Sequence, residues 1–371
     1  MTDKQDPDQN GPPRDKRRNR IPRILLAAGS VLVSAIAFAA SIAELSNGGV
    51  LAGLFGTDDE EDVRPVEPIT ELTIGAKIHL ESNVLAQMMA QVIEDQVPDI
   101  VVNMKYYLGE SYLVWSELLA ERVDLIPDYS GTIMSIYLDL DAPTVRRSSH
   151  DSDRLNALLK TSRSETDVQV EVLRTFGFSN SYVLLTKPET VAALGMEGDV
   201  VPLSAFSDSD RLKDLRIGST YEFFVRDEGV RGLSDFYRTR FGDREIFEFH
   251  LEKYPAIDAG EVDVIDGYVT DAAMERGDYV VIEDDLSFWP KYWAVPITRT
   301  EVVRSRPDVV AAVDTLADQI TEQEMRQLFI ALDDAGVTPE DIQNGVLIDF
   351  EKTIEAFLCD QSLLKRCAPP A

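Results

Sequence analysis

From Glu71 onward, short apolar runs alternate with segments in which apolar residues recur every three or four positions. Leu72-Thr-Ile-Gly75 reads as a strand. Val84, Leu85, Met88, Met89, Val92 and Ile93 mark one face of a helix over Asn83–Asp95. Ile100–Met104 predicts a second strand, Tyr112–Arg122 a second helix with Leu113, Trp115, Leu118 and Leu119, and Val123–Pro127 a third strand. This order predicts an α/β unit with right-handed crossovers and a mostly parallel sheet. A second unit repeats the plan with strands Ser181–Thr186, Arg216–Ser219, Glu245–His250 and Val262–Gly267, and helices Gly232–Phe241 and Tyr254–Gly260. Tyr279–Glu283 and Trp293–Ile297 read as strands returning to the first unit, followed by helices Pro307–Ile320, Glu322–Asp333 and Pro339–Asn344. Thr338 before Pro339 is a cap followed by a proline at the first helical position.

Two units joined by two crossings predict two lobes, one over 71–179 and 291–355, the other over 180–290. Ligands of such sheets bind beyond the carboxyl ends of the strands and between domains. Lys77 follows the first strand, Asp128-Tyr-Ser-Gly-Thr132 the third, and Tyr268-Val-Thr-Asp271 the strand ending at Gly267. All three ends are expected to face one cleft, with a hinge near Phe178–Asn180 and Phe288–Lys291.

The first 70 residues show a different pattern. Residues 1–23 are polar and rich in Asp, Pro, Arg and Lys, which predicts a disordered cytoplasmic tail. Ile24–Ala43 then runs 20 residues without a charge, long enough to cross a bilayer, behind six basic residues from Arg14 to Arg23. Two readings of residues 24–44 stand open: a retained transmembrane anchor, or a signal peptide cleaved at the A-x-A-like Ala37-Phe38-Ala39. Either one exports the chain beyond Glu44. Residues 45–70, with Gly-Gly, an acidic run and prolines, read as a linker.

The composition narrows the chemistry. Of 371 residues 44% are hydrophobic, enough for proper cores. A net charge of −30 disfavours nucleic acid and anionic lipid headgroups as partners. Cys359 and Cys367, the only cysteines, suit one disulfide in a C-terminal tail over 356–371; no further ligand nearby supports a metal. Three histidines in no metal-ligand spacing, and no nucleophile elbow, P-loop or dinucleotide fingerprint, argue against an enzyme and against a cofactor.

Four tyrosines stand out: Tyr129, Tyr182, Tyr268 and Tyr292. Aromatic faces attract a cation that has no hydrogen to donate. Lys77, Thr132 and Arg226 suit a carboxylate. Each has a plainer reading. A strand-end tyrosine ordinarily packs at a rim, and Arg226 can simply pair with Glu222 at helical spacing.

The motifs carrying these residues are Ile74-Gly-Ala-Lys77, Val123-Asp-Leu-Ile-Pro-Asp-Tyr-Ser-Gly-Thr132, Phe176-Gly-Phe-Ser-Asn-Ser-Tyr182, Glu222-Phe-Phe-Val-Arg226, the run Gly260–Asp271 and the run Glu283–Tyr292. In this order and spacing the chain from about Glu71 to Asn344 resembles the glycine betaine, choline and related quaternary-amine binding proteins of ABC importers. The resemblance implies an α/β, two-lobed periplasmic-binding-protein fold, type II-like, with a ligand cleft between the lobes; the N-terminal transmembrane helix read from Ile24–Ala43 departs from the cleaved signal or lipid anchor usual in the family. It implies a tyrosine cage at Tyr129, Tyr182, Tyr268 and Tyr292, carboxylate contacts at Lys77, Thr132 and Arg226, Glu222 orienting Arg226, and Asn180 facing the cation. It also implies an extracytoplasmic binding protein that delivers a quaternary-ammonium osmolyte, glycine betaine first, to an ABC permease and its ATPase. A membrane-tethered sensor, or a binder of choline, carnitine or another cationic solute, would use the same pocket. Two loops depart from the family. Where members read Asn-Phe-Thr-Glu-Gln, this chain has Ile78-His79-Leu80-Glu81-Ser82 and keeps only the glutamate; Gly109-Glu110-Ser111 replaces Gly-Gly-Thr and points Glu110 either toward the site or outward. Neither a quaternary amine nor Arg226 titrates near neutrality, so binding is expected to be nearly independent of pH.

Overall fold

The computed structural model describes residues 69–148, 154–158, 169–225, 227–248 and 250–367. The expected tail, apolar segment and linker up to residue 68 lie outside the described residues, and so does Arg226. Among the described residues no helix is long and apolar enough to cross a membrane.

The chain opens with β1 (Glu71–Lys77), α1 (Leu80–Gln96), β2 (Val101–Gly109), α2 (Ser111–Leu119) and β3 (Leu125–Tyr129). A short turn, Ser130–Thr132, runs on into a π-helical turn, Ile133–Tyr137. After β4 (Val170–Val172) the chain enters the second lobe. There it forms β5 (Tyr182–Thr186), β6 (Val200–Pro202), β7 (Ile217–Thr220), α3 (Tyr221–Val225), α4 (Val230–Tyr237), β8 (Arg244–Phe247), α5 (Lys253–Asp258), β9 (Val264–Tyr268) and β10 (Val280–Glu283). It returns through β11 (Ala294–Arg299) and ends in α6 (Pro307–Val313), α7 (Glu322–Asp334), α8 (Pro339–Gln343) and α9 (Ile348–Asp360).

The sheets are ordered β2-β1-β3-β11-β4 and β6-β10-β5-β9-β7-β8. Both are mixed rather than mostly parallel. β1 runs parallel to β2 and β3, and β7 parallel to β8 and β9, but β11 is antiparallel to β3 and β4, and β5 to β9 and β10. The parallel trios have crossover helices between their strands. β5 and β11 instead arrive directly from the other lobe, so they enter their sheets in the opposite sense.

The first lobe is built around α1. Every residue from Glu81 to Ile93 is buried, because the helix is covered by its own sheet on one side and by Val309, Met325, Phe350 and Ile354 on the other. The C-terminal helices start cleanly. Thr321 and Thr338 each close a capping box, with Glu324 and Asp341, and each cap stabilises its helix by about 1 kcal/mol. α9 runs on past residue 355, where the first lobe was expected to end. Phe350, Ile354 and Leu358 on one face, and Leu364 after it, are buried in the first lobe's core. Cys359 and Cys367 are joined as a disulfide with Cα atoms 5.5 Å apart.

The two crossings lie side by side. Ala294 N–H donates to Phe178 O at 3.0 Å and Asn180 N–H to Tyr292 O at 2.9 Å. Ser179 and Trp293 form an isolated antiparallel bridge between them.

Candidate functional site

The turn from β1 into α1 is fixed by its own polar side chains. Lys77 N–H donates to Ser82 Oγ at 2.9 Å, and Asn83 Nδ2 donates to the carbonyls of Lys77 and His79 at 2.8 and 2.7 Å. This seats Glu81 in the first turn of α1, facing the lobe junction. The residue is only 6% exposed. Oε1 accepts from Tyr129 Oη at the end of β3, and from Asn180 Nδ2 on the first crossing at 2.9 Å.

Tyr129 bonds this carboxylate, and the other three tyrosines cluster with one another. Tyr182 and Tyr268 are direct partners in the β5–β9 register, which puts both rings on one face with centroids 5.1 Å apart. Tyr292, on the second crossing, meets Tyr182 edge-on at 6.3 Å. Its ring lies over the Ser130–Thr132 turn, where a Cβ on Gly131 would come within 2.5 Å of it. Behind Tyr182 stand Phe223 and Trp289 at 5.2 and 5.7 Å, and the Trp289 indole donates to Glu228 O at 2.7 Å. His250 stacks on Tyr268 at 4.7 Å and hydrogen-bonds Asp271 at 2.8 Å, which also accepts from Tyr254 Oη and Tyr268 N–H. Burial works to raise the Asp271 carboxyl, but the bonds and charge of His250, with Tyr254, hold it below its ordinary value. Burial raises the Tyr129 and Tyr268 phenols well above theirs.

Glu81 is the main titratable group here. Burial pushes its carboxyl up to about 7, against hydrogen bonding by Tyr129, Thr270 and Asn180, with Asp271 adding like-charge repulsion. Its other oxygen, Oε2, and Asn180 Oδ1 are buried with no hydrogen-bond partner among the described residues.

The residues expected at an anionic end divide differently. Lys77 Nζ lies 2.5 Å from Asp128 Oδ1, with both side chains buried and Tyr137 Oη on the other Asp128 oxygen at 2.5 Å. The ammonium sits 5.4 Å from the Tyr129 ring centroid. Thr132 is buried at the end of the turn below Tyr292. Glu222 is on α3, but its side chain and all of Arg226 lie outside the described residues. Glu110 points outward, 67% exposed, 3.5 Å from His79.

The structure therefore brings together Tyr129, Asn180, Tyr182, Tyr268 and Tyr292, and adds Glu81, Thr270 and Asp271. Sequence reasoning missed the place of Glu81, although its retention in an otherwise altered loop was a signal.

A family model described as the substrate-binding domain of ABC-type glycine betaine transport systems matches residues 70–344. The chain is similar to a carnitine transport binding protein, OpuCC, of Listeria monocytogenes, at 24% identity over 69% of this chain and 79% of that one. It is similar to a glycine-betaine-binding protein of Pseudomonas aeruginosa at 24% identity, over 73% and 85%. An ergothioneine transport permease/binding protein, EgtU, of Helicobacter pylori matches at 22% identity over 69% of this chain, which spans only 43% of that longer protein. Among solved structures, a glycine betaine/carnitine/choline ABC transporter protein matches with TM-score 0.63 and 22% identity, over 79% of this chain and 100% of that one. Apo YehZ from Escherichia coli matches with TM-score 0.59 and 16% identity, over 79% and 99%. These structural likenesses establish the two-lobed α/β binding-protein fold.

Proposed function

Because the chain belongs to the family of substrate-binding domains of ABC-type glycine betaine transport systems, we propose that it captures a quaternary-ammonium solute outside the cytoplasm and presents it to an ABC permease and its ATPase. The observation that carries this reading is the cluster of Tyr182, Tyr268 and Tyr292, from the second lobe and a crossing, joined through Asn180 to a buried carboxylate that Tyr129 of the first lobe also bonds. Ring faces attract a cation that cannot donate a hydrogen bond, and they do so more strongly when water is excluded. Asn180 completes the cation side of the site.

Glycine betaine is the ligand the family puts first. In this reading its carboxylate relies on Thr132 and on Arg226, oriented by Glu222, because the charge of Lys77 is already met by Asp128. The apolar run Ile24–Ala43 and its basic flank support export, with a tether to the membrane as the anchor reading.

Calorimetric titration of the full-length protein in detergent with glycine betaine and choline tests the function. Either ligand should bind. Tyr129→Ala and Tyr268→Ala should each weaken binding by about 1–2 kcal/mol, roughly five- to thirtyfold. Normal binding by both variants would remove the cage.

A further inference from the structure

Resting on the quaternary-ammonium reading, we propose that Glu81, with Asn180 beside it, makes this pocket select quaternary-ammonium compounds that also carry a neutral hydrogen-bond donor, O–H or N–H, over donorless ones such as glycine betaine.

Hydrogen bonding at this carboxylate is incomplete. Glu81 Oε1 is occupied twice, by Tyr129 Oη and by Asn180 Nδ2. Thr270 lies near the carboxylate and helps to hold it ionised, but it closes no hydrogen bond of ordinary geometry: Oε2 is buried with no such partner among the described residues, and Asn180 Oδ1, the other end of the amide that donates to Glu81, is in the same condition. Buried polar atoms are nearly always paired, and an unpaired carboxylate oxygen is among the costlier exceptions. Both unmet atoms are acceptors, so the group that completes them is a donor. Glycine betaine offers methyl groups and a carboxylate, and so has no donor to give them. Its carboxylate would moreover gain little from Lys77, whose ammonium is held by Asp128 at 2.5 Å. A hydroxyl or ring N–H a few atoms from the trimethylammonium group satisfies Oε2 while the tyrosines hold the cation. The cation also favours the ionised, accepting form of Glu81, so cage and acceptor reinforce each other. A site built to hydrogen-bond such a donor discriminates strongly against the analogue lacking it, because the buried acceptor is then left unpaired.

The test compares choline with ethyltrimethylammonium, which has the same cation and nearly the same shape but no hydroxyl. In the wild-type protein at pH 8, choline should bind at least about tenfold more tightly, as expected for a hydrogen bond to a charged group. In Glu81→Gln the preference should fall to within about threefold. Tyr129 and Asn180 both donate to Oε1, which fixes the glutamine carbonyl there and puts its NH2 where Oε2 was. Equal wild-type affinity for the pair would overturn the proposal and leave Oε2 to an ordered water. A preference for glycine betaine that grows as pH falls would also overturn it, since a protonated Glu81 would then be donating to a ligand carboxylate. The wild-type comparison needs no variant and stands even if Glu81→Gln does not fold. If no quaternary ammonium compound binds the wild type, the functional reading itself fails, an outcome distinct from the other two.

Discussion

Glu81 changes what pH should do. Neither a quaternary amine nor an arginine titrates near neutrality, so the sequence predicts nearly flat binding, but the fold buries a carboxylate among the tyrosines and lifts it to about 7 from an ordinary 4.5. A raised value means that the folded protein holds this proton more tightly than the unfolded chain. The stability contributed by Glu81 is therefore complete on the acid side and is lost as pH rises from about 4.5 to about 7. A bound cation has the opposite preference, because it attracts the ionised form. Affinity for choline should rise between pH 6 and pH 8 by up to about tenfold, as the ionised fraction grows from about a tenth to about nine tenths. The groups facing Glu81 are the Tyr129 phenol, Asp271 with its His250 and Tyr254 partners, and, behind Tyr129, the Lys77–Asp128 pair. His250→Gln is the control for the second of these and should keep the slope, while Glu81→Gln should abolish it. Calorimetry at three pH values decides, and a flat wild-type profile would mean that Glu81 does not face the cation. The sequence shows a retained glutamate in an altered loop. Its burial depends on Tyr129, Asn180 and Thr270, which are brought together only by the fold.

Helices and strands were more legible than contacts between them. The alternating strands and helices, the two crossings and the cap at Thr338 come from periodicity and local chemistry. β4 did not, because three residues are too few to show a period. α9 was available in the spacing of Phe350, Ile354 and Leu358, although the expected lobe boundary at 355 cuts through it. The turn after β3 shows the same limit in one residue. Gly131 stands in a recognisable motif, but the reason for a glycine is the Tyr292 ring, which belongs to the opposite crossing and lies where a Cβ would be. The backbone of Tyr292 is itself held, by Ser179 Oγ and Asn180 N–H, so the main chain cannot easily shift to make room. Gly131→Ala should therefore displace Tyr292 and weaken cation binding by about tenfold, comparable to losing one cage face, with a smaller effect on thermal stability. Titration together with a melting curve separates the two effects. Unchanged affinity would show that Tyr292 is a packing residue and not a wall of the cage.

Across the molecule, the lobes are also joined by α7, whose first residue, Glu322, accepts from Ser179 N–H on the first crossing at 3.1 Å. Arg326 on α7 of the first lobe donates to Glu275 Oε1 and to Val269 O of the second, each at 2.7 Å. Arg276 of the second lobe pairs with Asp333 and Asp334 at the end of the same helix. Val269 directly follows Tyr268, so the Arg326 contact holds the end of β9 itself. A ligand trapped between lobes leaves only when they part, and interactions made only in the joined form lower the escape rate. The Arg276 pairs are exposed and contribute little. The Arg326 bond to a backbone carbonyl is half-buried and directional, so its loss should matter more. Arg326→Ala should raise the ligand dissociation rate by about fivefold, equivalent to about 1 kcal/mol, and leave the association rate nearly unchanged. Trp289, 5.7 Å from Tyr182, provides a fluorescent reporter of cage occupancy for stopped-flow measurement. Arg276→Ala should change the rate less than twofold. If both variants release ligand at the wild-type rate, the paired crossings alone hold the lobes together, and the side-chain contacts of Arg326 and Arg276 accompany closure without stabilising it.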